Sequence, residues 1–326
     1  MAMVIEAKNL RKVYRVTKKQ SGFWGTVKGL ARPQYQEVEA VKDIDLSIAK
    51  GEIVGFLGPN GAGKTTTIKM LSGIMFPTSG SATVLGFEPW KRNPDMLRRI
   101  ALVMGNKQQL WWDLPAIESF NVLRVLYDVS DADYKERLDY LAVQLQLTDK
   151  LDTQVRKLSL GERMKCELIA ALLHNPEVLF LDEPTIGLDL VSQKRMRDFL
   201  RDLNKRTQCT IVLTSHYMQD VQELAQRVIV IDHGSLVFSG VIHQLVDRYG
   251  ADKQLRLTFG GTDPIPDLSA YGKVLVSEGR VATVSVPKAE VTQAASKILQ
   301  TLPVVDIAVE EVSVEEVVRR LFEHGH

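Results

Sequence analysis

The sequence predicts an α/β protein built around a largely parallel sheet, followed by a small α+β domain. Three observations predict this fold class. A short apolar run at residues 52–57 ends in a glycine-rich loop that opens a helical pattern. Two further apolar runs, at residues 178–181 and 210–213, lack polar alternation, as strands covered on both faces do. After Tyr249 the periodicity changes to alternating strands and amphipathic helices.

The remaining elements follow along the chain. Strands are predicted before the loop at residues 4–7, 12–17 and 37–48, a helix after it at residues 65–75, and a hairpin around residues 233–234. Mostly helical periodicity from residue 115 to residue 175 indicates a helical subdomain at about 113–175. We therefore expect domains at residues 1–249 and 250–326, with an insertion in the first at about 18–36.

Composition limits the functions that the chain can have. Of 326 residues, 45% are hydrophobic and 25% are charged, and the formal net charge is +1, which is typical of globular proteins and does not favour nucleic-acid binding. The two cysteines lack metal-ligand spacing and favour a reducing compartment. We find no signal-peptide core and no apolar run of about 20 residues. We therefore expect any membrane role to come through a partner.

The glycine-rich loop is the first element that carries chemistry. Residues 58–65 fit the phosphate-binding pattern G-x-x-x-x-G-K-[ST], between a predicted strand and a predicted helix. Glycines let the backbone close around phosphate oxygens, and the helix N-terminus adds partial positive charge. Lys64 supplies a full charge near the β/γ-phosphates, and Thr65 offers a hydroxyl to Mg²⁺. The predicted ATP-binding residues of this loop are Gly58, Pro59, Asn60, Gly61, Ala62, Gly63, Lys64, Thr65 and Thr66.

Two carboxylates end the apolar run at residues 177–181. We expect Asp182 to hold Mg²⁺ and Glu183 to orient and activate the attacking water, because a carboxylate beside the γ-phosphate can accept a proton. An exposed acidic pair at a strand end is the alternative explanation. The phosphate loop upstream makes that alternative the weaker one.

A second short motif, residues 158–162 (Leu-Ser-Leu-Gly-Glu), lies just upstream of the acidic strand. With this motif, the chain resembles the nucleotide-binding subunits of ATP-binding cassette (ABC) transporters over about its first three-quarters. The resemblance implies a P-loop NTPase of ABC type, with a mixed sheet core, an antiparallel β subdomain and a helical subdomain. It also implies that Ser159 and Gly161 contact the ATP bound by a second copy. Leu160 and Glu162 depart from the commoner Leu-Ser-Gly-Gly-Gln.

The same resemblance assigns further residues. Asp189 lies in the D-loop at the dimer interface, where Ile186 replaces the usual serine. His216 matches the switch histidine that contacts the γ-phosphate. Tyr14 takes the place of the aromatic residue that stacks on adenine, although the residues alone are equally compatible with an ordinary strand tyrosine.

The Q-loop departs from the family pattern. An ungapped match places Asn106 where the family has a glutamine that contacts Mg²⁺, and a shifted loop would place Gln108 or Gln109 there instead. Trp111 and Trp112 then fall where the family receives a short helix of its membrane partner. Core aromatics are the alternative explanation for this pair.

Two segments have no assigned chemistry. The insertion at residues 18–36 resembles that of polysaccharide and teichoic-acid exporters. Its aromatic and basic residues fit a short helix at a membrane surface, and a surface loop is nearly as good an explanation. The C-terminal domain carries no motif, although its strands could pair across a dimer or bind a regulator.

We interpret the chain as the ATPase subunit of an ABC exporter, resembling the antibiotic- and sodium-export type. It would act as a homodimer with transmembrane permease subunits, at the cytoplasmic face of the membrane, and use ATP and Mg²⁺. The alternatives are a soluble ABC ATPase that acts on ribosomes, DNA or iron-sulphur assembly, and the ATPase of a polysaccharide exporter. The presence of one cassette without long coiled coils disfavours the first alternative.

Overall fold

The computed structural model describes residues 2–17, 35–105, 107–215, 217–250, 252–261 and 264–323. The chain divides into two compact units, Met1–Ser239 and Gly240–His326. All but the last two residues of the predicted insertion at 18–36 lie outside the described residues. No helix within the described ranges combines the length and apolar character needed to cross a membrane.

Thirteen strands and ten α-helices are present in the described residues. The strands are β1 (Met3–Thr17), β2 (Tyr35–Ala49), β3 (Ile53–Leu57), β4 (Ser79–Val84), β5 (Ile100–Met104), β6 (Val178–Asp182), β7 (Thr210–Thr214), β8 (Arg227–Asp232), β9 (Ser235–Gly240), β10 (Asp252–Phe259), β11 (Lys273–Glu278), β12 (Val281–Pro287) and β13 (Val304–Glu311). The helices are α1 (Lys64–Leu71), α2 (Pro94–Leu97), α3 (Ala116–Leu126), α4 (Asp131–Gln144), α5 (Leu160–Leu172), α6 (Leu190–Thr207), α7 (Met218–Leu224), α8 (Ile242–Tyr249), α9 (Val291–Thr301) and α10 (Val314–Glu323).

A six-stranded sheet in the order β5-β6-β7-β3-β8-β9 forms the centre of the first unit. Strands β3, β5, β6, β7 and β8 pair in parallel. Strands β3, β6 and β7 are buried along their whole length, which explains why their sequences are apolar without alternation. The carboxyl ends of these three strands lie along one edge of the sheet, where α/β proteins bind ligands.

A three-stranded antiparallel sheet, β2-β1-β4, packs onto this centre. Strand β1 is continuous, although the sequence predicts two strands, at residues 4–7 and 12–17. Its pairing with β2 shifts register between Ala7 and Lys12, and Asn9 has a φ of 49°. These irregularities interrupt the alternation of side chains, so the periodicity breaks where the strand does not.

The helical segments match the predicted pattern in outline. Helices α3, α4 and α5 fall within residues 113–175. Helix α1 ends at Leu71, earlier than the predicted residue 75, because Gly73 adopts a φ of 77° and an added Cβ there would lie 2.4 Å from the Pro89 carbonyl oxygen. Both cysteines, Cys166 and Cys209, are buried and free.

The second unit is a four-stranded antiparallel sheet in the order β11-β12-β10-β13 with three helices. Its core contains Leu255, Leu257, Val284 and Ile298, so α9 covers one face of the sheet. Helix α8 packs with α10 and is therefore part of this unit, whereas the predicted boundary at Tyr249 is where α8 ends. Periodicity did not reveal this, since the contact joins helices far apart in the sequence.

Candidate nucleotide-binding and catalytic site

The phosphate loop connects the buried strand β3 to helix α1, as the sequence predicts. Gly63 is the N-cap of α1 with a φ of 108°, and an added Cβ would lie 2.4 Å from the Ala40 carbonyl oxygen. At Gly58 an added Cβ would lie 2.2 Å from the Ile231 carbonyl oxygen. Both positions therefore require glycine, and the loop amides gather at the N-terminus of a helix, where phosphate binds well.

Lys64 reaches back across this loop. Its Nζ donates hydrogen bonds to the carbonyl oxygens of Gly58 at 2.6 Å and Pro59 at 3.1 Å. Burial lowers the pKa of the Lys64 amine, and the nearby carboxylates of Glu183 and Asp182 act in the opposite direction. The amine thus shares one electrostatic site with the predicted metal-binding carboxylate, Asp182, and the predicted catalytic carboxylate, Glu183.

Asp182 ends strand β6 and is buried. The Thr65 hydroxyl is 3.0 Å from both of its carboxylate oxygens, and the Thr214 hydroxyl donates to Oδ1 at 2.7 Å. The phosphate loop, the acidic strand and strand β7 therefore meet at one carboxylate. Its oxygen donors, together with the threonine hydroxyls, are the kind that Mg²⁺ prefers.

Glu183 follows directly and leaves the strand in a left-handed conformation, with a φ of 61°. Its backbone amide lies 3.1 Å from the carbonyl oxygen and 3.1 Å from the hydroxyl oxygen of Thr214. A non-glycine residue in this region is held by its surroundings at some cost in conformational energy. Thr214 therefore fixes both carboxylate residues. No motif predicts a functional role for Thr214, although its polarity at the end of an apolar run was a usable signal.

The motif at residues 158–162 opens helix α5. The Ser159 side chain accepts from the Glu162 backbone amide at 3.2 Å, and Glu162 Oε2 accepts from the Ser159 amide at 2.9 Å. This is a complete capping box, so Glu162, a departure from the commoner glutamine, performs the same capping. The hydrogen bond from the Ser159 backbone lowers the pKa of Glu162. A hydroxyl that accepts one hydrogen bond can still donate another, at a helix N-terminus suited to phosphate.

The same motif packs against the predicted D-loop. An added Cβ at Gly187 would lie 2.1 Å from Leu160 Cδ2, and one at Gly161 would lie 2.8 Å from Leu188 Cδ2. Each motif thus places a leucine against a glycine of the other. Asp189 caps α6 by accepting from Ser192, so it anchors the end of the D-loop.

These features match known proteins. The model of the ABC transporter family covers residues 41–186, and the EvrA-like ABC transporter C-terminal domain covers residues 251–310. The ABC transporter ATP-binding protein NatA of Bacillus subtilis is 37% identical over 210 residues, which are 64% of this chain and 85% of NatA. The chain belongs to the ABC transporter ATP-binding protein family. The family resemblance and the ATPase activity predicted from its motifs are thereby confirmed.

Other ABC relatives are named for resistance to particular compounds. The linearmycin resistance ATP-binding protein LnrL of Bacillus subtilis is 35% identical, over 70% of this chain and 72% of LnrL. The daunorubicin/doxorubicin resistance ATP-binding protein DrrA of Streptomyces peucetius is 35% identical, over 67% of this chain and 66% of DrrA. These names describe those proteins.

Solved ABC cassettes share the fold. An ATP-binding subunit of an ABC transporter superposes with a TM-score of 0.64 at 23% identity, over 76% of this chain and 93% of that one. A dimeric post-hydrolysis cassette, MJ0796 bound to ADP and phosphate, superposes with a TM-score of 0.61 at 22% identity, over 73% of this chain and 98% of that one. The predicted ABC-type fold class is therefore confirmed, and the residue roles stay predictions.

Two predicted cassette residues, Asn106 and His216, lie outside the described residues. The amide of Gly105, just before Asn106, donates to the Asp182 backbone carbonyl at 2.8 Å. Gln109, the shifted-loop alternative, has its side-chain amide on the Leu102 carbonyl at 2.6 Å. Its side chain is therefore engaged with β5 in this structure.

A buried network includes Ser215, the residue before the predicted switch histidine in the sequence. Asp220 accepts from the hydroxyls of Thr185 and Ser215 and from the guanidinium of Arg197, which is 2.9 Å away. Arg197 and Asp220 are both almost fully buried. The network joins the segment after the acidic pair to the residue before His216. No sequence motif predicts this network, because its four residues come from separate segments of the chain.

Tyr14 lies in β1, opposite Val38 of β2. Its hydroxyl is 3.0 Å from Met75 Sδ, and the Lys12 ammonium lies 5.5 Å from the ring centroid. The ring is part-buried rather than free on the surface. Its stacking on adenine stays a prediction.

Trp111 and Trp112 are 49% and 44% exposed, so they are not core residues of the described chain. The Trp111 amide lies 3.1 Å from the Ser119 hydroxyl. The Arg163 guanidinium lies over the Trp112 ring at 4.3 Å. Aromatic residues, tryptophan among them, are enriched at protein interfaces relative to the rest of the surface.

Proposed function

We propose that this chain is the ATP-hydrolysing subunit of an ABC exporter. It would act as a homodimer bound to transmembrane permease subunits at the cytoplasmic face of a membrane. The names of several relatives support export: linearmycin resistance, daunorubicin/doxorubicin resistance and Nod factor export. The site geometry supports the chemistry, and the relatives support the direction of transport.

The observation that carries the proposal is the meeting of Thr65 and Asp182, 3.0 Å apart, at the end of the phosphate loop. These two residues, with Asn106, would hold Mg²⁺, which neutralises phosphate charge during phosphoryl transfer. Lys64 would bind the β/γ-phosphates. Glu183, whose carboxylate shares the electrostatic site of Lys64, would accept the proton of the attacking water, and His216 would contact the γ-phosphate.

The second half of the site would come from the other copy. The hydrogen bonds of Ser159 in the described structure stay within its own helix and cap, so its hydroxyl is available to a ligand at the N-terminus of α5. Exposed apolar residues occur in this motif and in the helix after the D-loop, with exposed fractions of 46% for Leu160, 78% for Leu190 and 60% for Val191. Large exposed apolar side chains of this kind are a feature of protein interfaces. A twin copy bearing its own ATP fits this surface.

The permease would bind near the exposed tryptophans Trp111 and Trp112. A cavity of about 420 Å³ is lined in part by Lys107, Gln108 and Gln109, the residues just before them. Its remaining lining is largely apolar and includes Ile74. A short amphipathic helix of a membrane partner suits such a cavity.

A mixing experiment tests the shared site. Lys64→Ala disables the phosphate loop, and Ser159→Arg disables the contact that each copy offers to its twin. Either variant alone should be nearly inactive. In an equal mixture, half of the dimers have one intact site of two, so the mixture should regain about a quarter of wild-type turnover.

Recovery of ATPase turnover in the mixture is the result that decides whether the site is shared between copies. Light scattering of each variant should show normal folding and size, and mixtures of either variant with itself serve as controls. A mixture as inactive as its components would contradict a site shared between copies. Purification of the native chain from membranes together with a multi-spanning subunit would separate the exporter from a soluble ABC ATPase.

A further inference from the structure

Helix α5, which begins with the motif at residues 158–162 (the signature helix and the signature motif), carries two charged residues that reach a common target. Arg163 and Glu167 are four positions apart and therefore lie on one face of the helix. Both contact the tryptophan segment (residues 109–112), the part of the chain that contains the proposed permease contacts. Arg163 also lies four positions after Ser159, whose carbonyl accepts its backbone amide at 2.9 Å.

Glu167 is the firmer of the two contacts. Its side chain is only 3% exposed, and Oε1 accepts the backbone amides of Gln109 at 2.9 Å and Leu110 at 3.2 Å. Burial raises the pKa of this carboxyl, while the two amides and Arg163 act in the opposite direction. Among the described residues, its second oxygen has no hydrogen-bond partner. The other ionisable groups near it are Arg163 and Cys166.

Arg163 holds the other end of the segment. Its guanidinium lies over the Trp112 ring at 4.3 Å and donates to the Leu158 carbonyl at 3.2 Å. Leu158 immediately precedes Ser159. The same side chain therefore touches the tryptophan segment and the start of the signature motif.

Packing alone does not explain this arrangement. A buried carboxylate with an unsatisfied oxygen is costly, and an apolar residue of similar volume would fill the same space without that cost. The carboxylate instead fixes two consecutive backbone amides, so the segment follows the helix in position and orientation. An apolar contact would allow the two to slide.

We propose that Arg163 and Glu167 are positioning residues that join the tryptophan segment to the signature helix, so that Ser159 and the permease-facing surface move together. The inference rests on the proposed function and adds the connection between its two surfaces. When the segment is displaced, the two hydrogen bonds from its backbone amides to Glu167 and the contact of the Arg163 guanidinium with Trp112 transmit the displacement to the N-terminus of α5. Neither residue touches nucleotide of its own chain in this scheme.

The test uses the full chain and Mg·ATP without a permease. Arg163→Ala and Glu167→Ala should each lower kcat by about tenfold while KM for ATP changes by less than about twofold, because the phosphate loop is intact. Glu167→Gln keeps the acceptor oxygen and should retain most of kcat. Arg137→Ala is the matched control, since Arg137 donates to the carbonyl of Leu173 at the other end of α5, at 2.9 Å, and should leave kcat unchanged.

A spectroscopic measurement separates positioning from general stability. In a chain whose only tryptophan is Trp112, with the other three replaced by phenylalanine and with Glu183→Gln to arrest turnover, ATP should shift the Trp112 emission. Adding Glu167→Ala should abolish the shift while a fluorescent ATP analogue still binds. If Glu167→Ala does not fold, Arg163→Ala provides the same test, because Arg163 is part-exposed and its loss should disturb folding less.

Three results would overturn the inference: unchanged kcat in both alanine variants, an equal loss in Arg137→Ala, or no ATP-dependent shift of Trp112 with Arg163 and Glu167 intact. Failure of the proposed function would look different. In that case Glu183→Gln would still hydrolyse ATP, or mixing would not restore activity, whatever the tryptophan reports.

Discussion

At the scale of single residues, the site depends on how one carboxylate is held. Asp182 accepts hydroxyl hydrogens from Thr65 on one side and Thr214 on the other, while Thr214 also accepts the Glu183 amide. The motif residues were predictable because their spacing is local. Thr214 was not, since it lies 32 positions from Asp182 and only the parallel pairing of β6 with β7 brings them together.

Thr214→Val should therefore impair catalysis more than folding. The substitution keeps the shape of the side chain but removes the hydroxyl that positions Asp182 and accepts the Glu183 amide. Loss of a buried hydrogen bond of this kind costs about 1–3 kcal/mol. Where that cost falls on the transition state, kcat should fall by about 5- to 150-fold. Steady-state ATPase assays would measure it.

Thr210→Val is the control for this prediction. Thr210 is buried in the same strand, and its hydroxyl accepts the Gly51 amide at 2.9 Å, away from Asp182. We expect it to lower the thermal midpoint without a comparable loss of kcat. Equal losses of kcat in the two variants would mean that strand β7 matters only for stability.

At the scale of elements, strands and caps were easier to predict than their partners. The buried strands β3, β6 and β7 are predictable from their apolar runs. The helix after the phosphate loop is predictable from the glycine-rich pattern that precedes it. The fit of Leu160 against Gly187 and the Asp220 network were not predictable, because they depend on packing between distant segments. The roles of Asn106 and His216, which lie outside the described residues, stay predictions.

The capping box of α5 gives a pH prediction. The folded pKa of Glu162 is lowered, so its contribution to stability is present above the ordinary value of 4.5 and is lost as pH falls through the lower folded value. Glu162→Gln can still cap the helix but carries no charge. The wild type should therefore unfold at higher temperature than the variant at pH 7, and the difference should shrink below about pH 4.5.

Thermal unfolding by circular dichroism between pH 7 and pH 3.5 would measure this difference. Asp267→Asn is a suitable comparison for an exposed carboxylate with its own local hydrogen bonds, in the second unit. A difference between wild type and Glu162→Gln that grows on acidification would contradict the assigned direction of the pKa.

At the scale of the whole molecule, each copy supplies one phosphate loop and one signature motif, and the proposal requires two copies to complete a site. The apolar residues Leu160, Leu190 and Val191 lie on the surface that the twin would cover. Burying such side chains favours association, whereas hydrolysis would remove the phosphate that both copies contact. Dimer closure should therefore depend on intact ATP.

Glu183→Gln should trap that closed state. The amide keeps the size of the side chain but accepts a proton poorly, so ATP should bind while hydrolysis falls by at least about a hundredfold. Light scattering should show a dimer with Mg·ATP and a smaller species with Mg·ADP. Normal turnover of this variant would remove the role assigned to Glu183.

The leucine-against-glycine contacts between the signature motif and the D-loop have one more consequence. Within one protomer, these contacts hold the D-loop, which follows the Asp182-Glu183 pair, against the motif that the protomer would present to its twin's nucleotide. Movement of either segment toward the other would therefore press one of these leucines against it. In the proposed dimer, the D-loop of each chain would therefore help to seat the serine that serves the other chain's nucleotide.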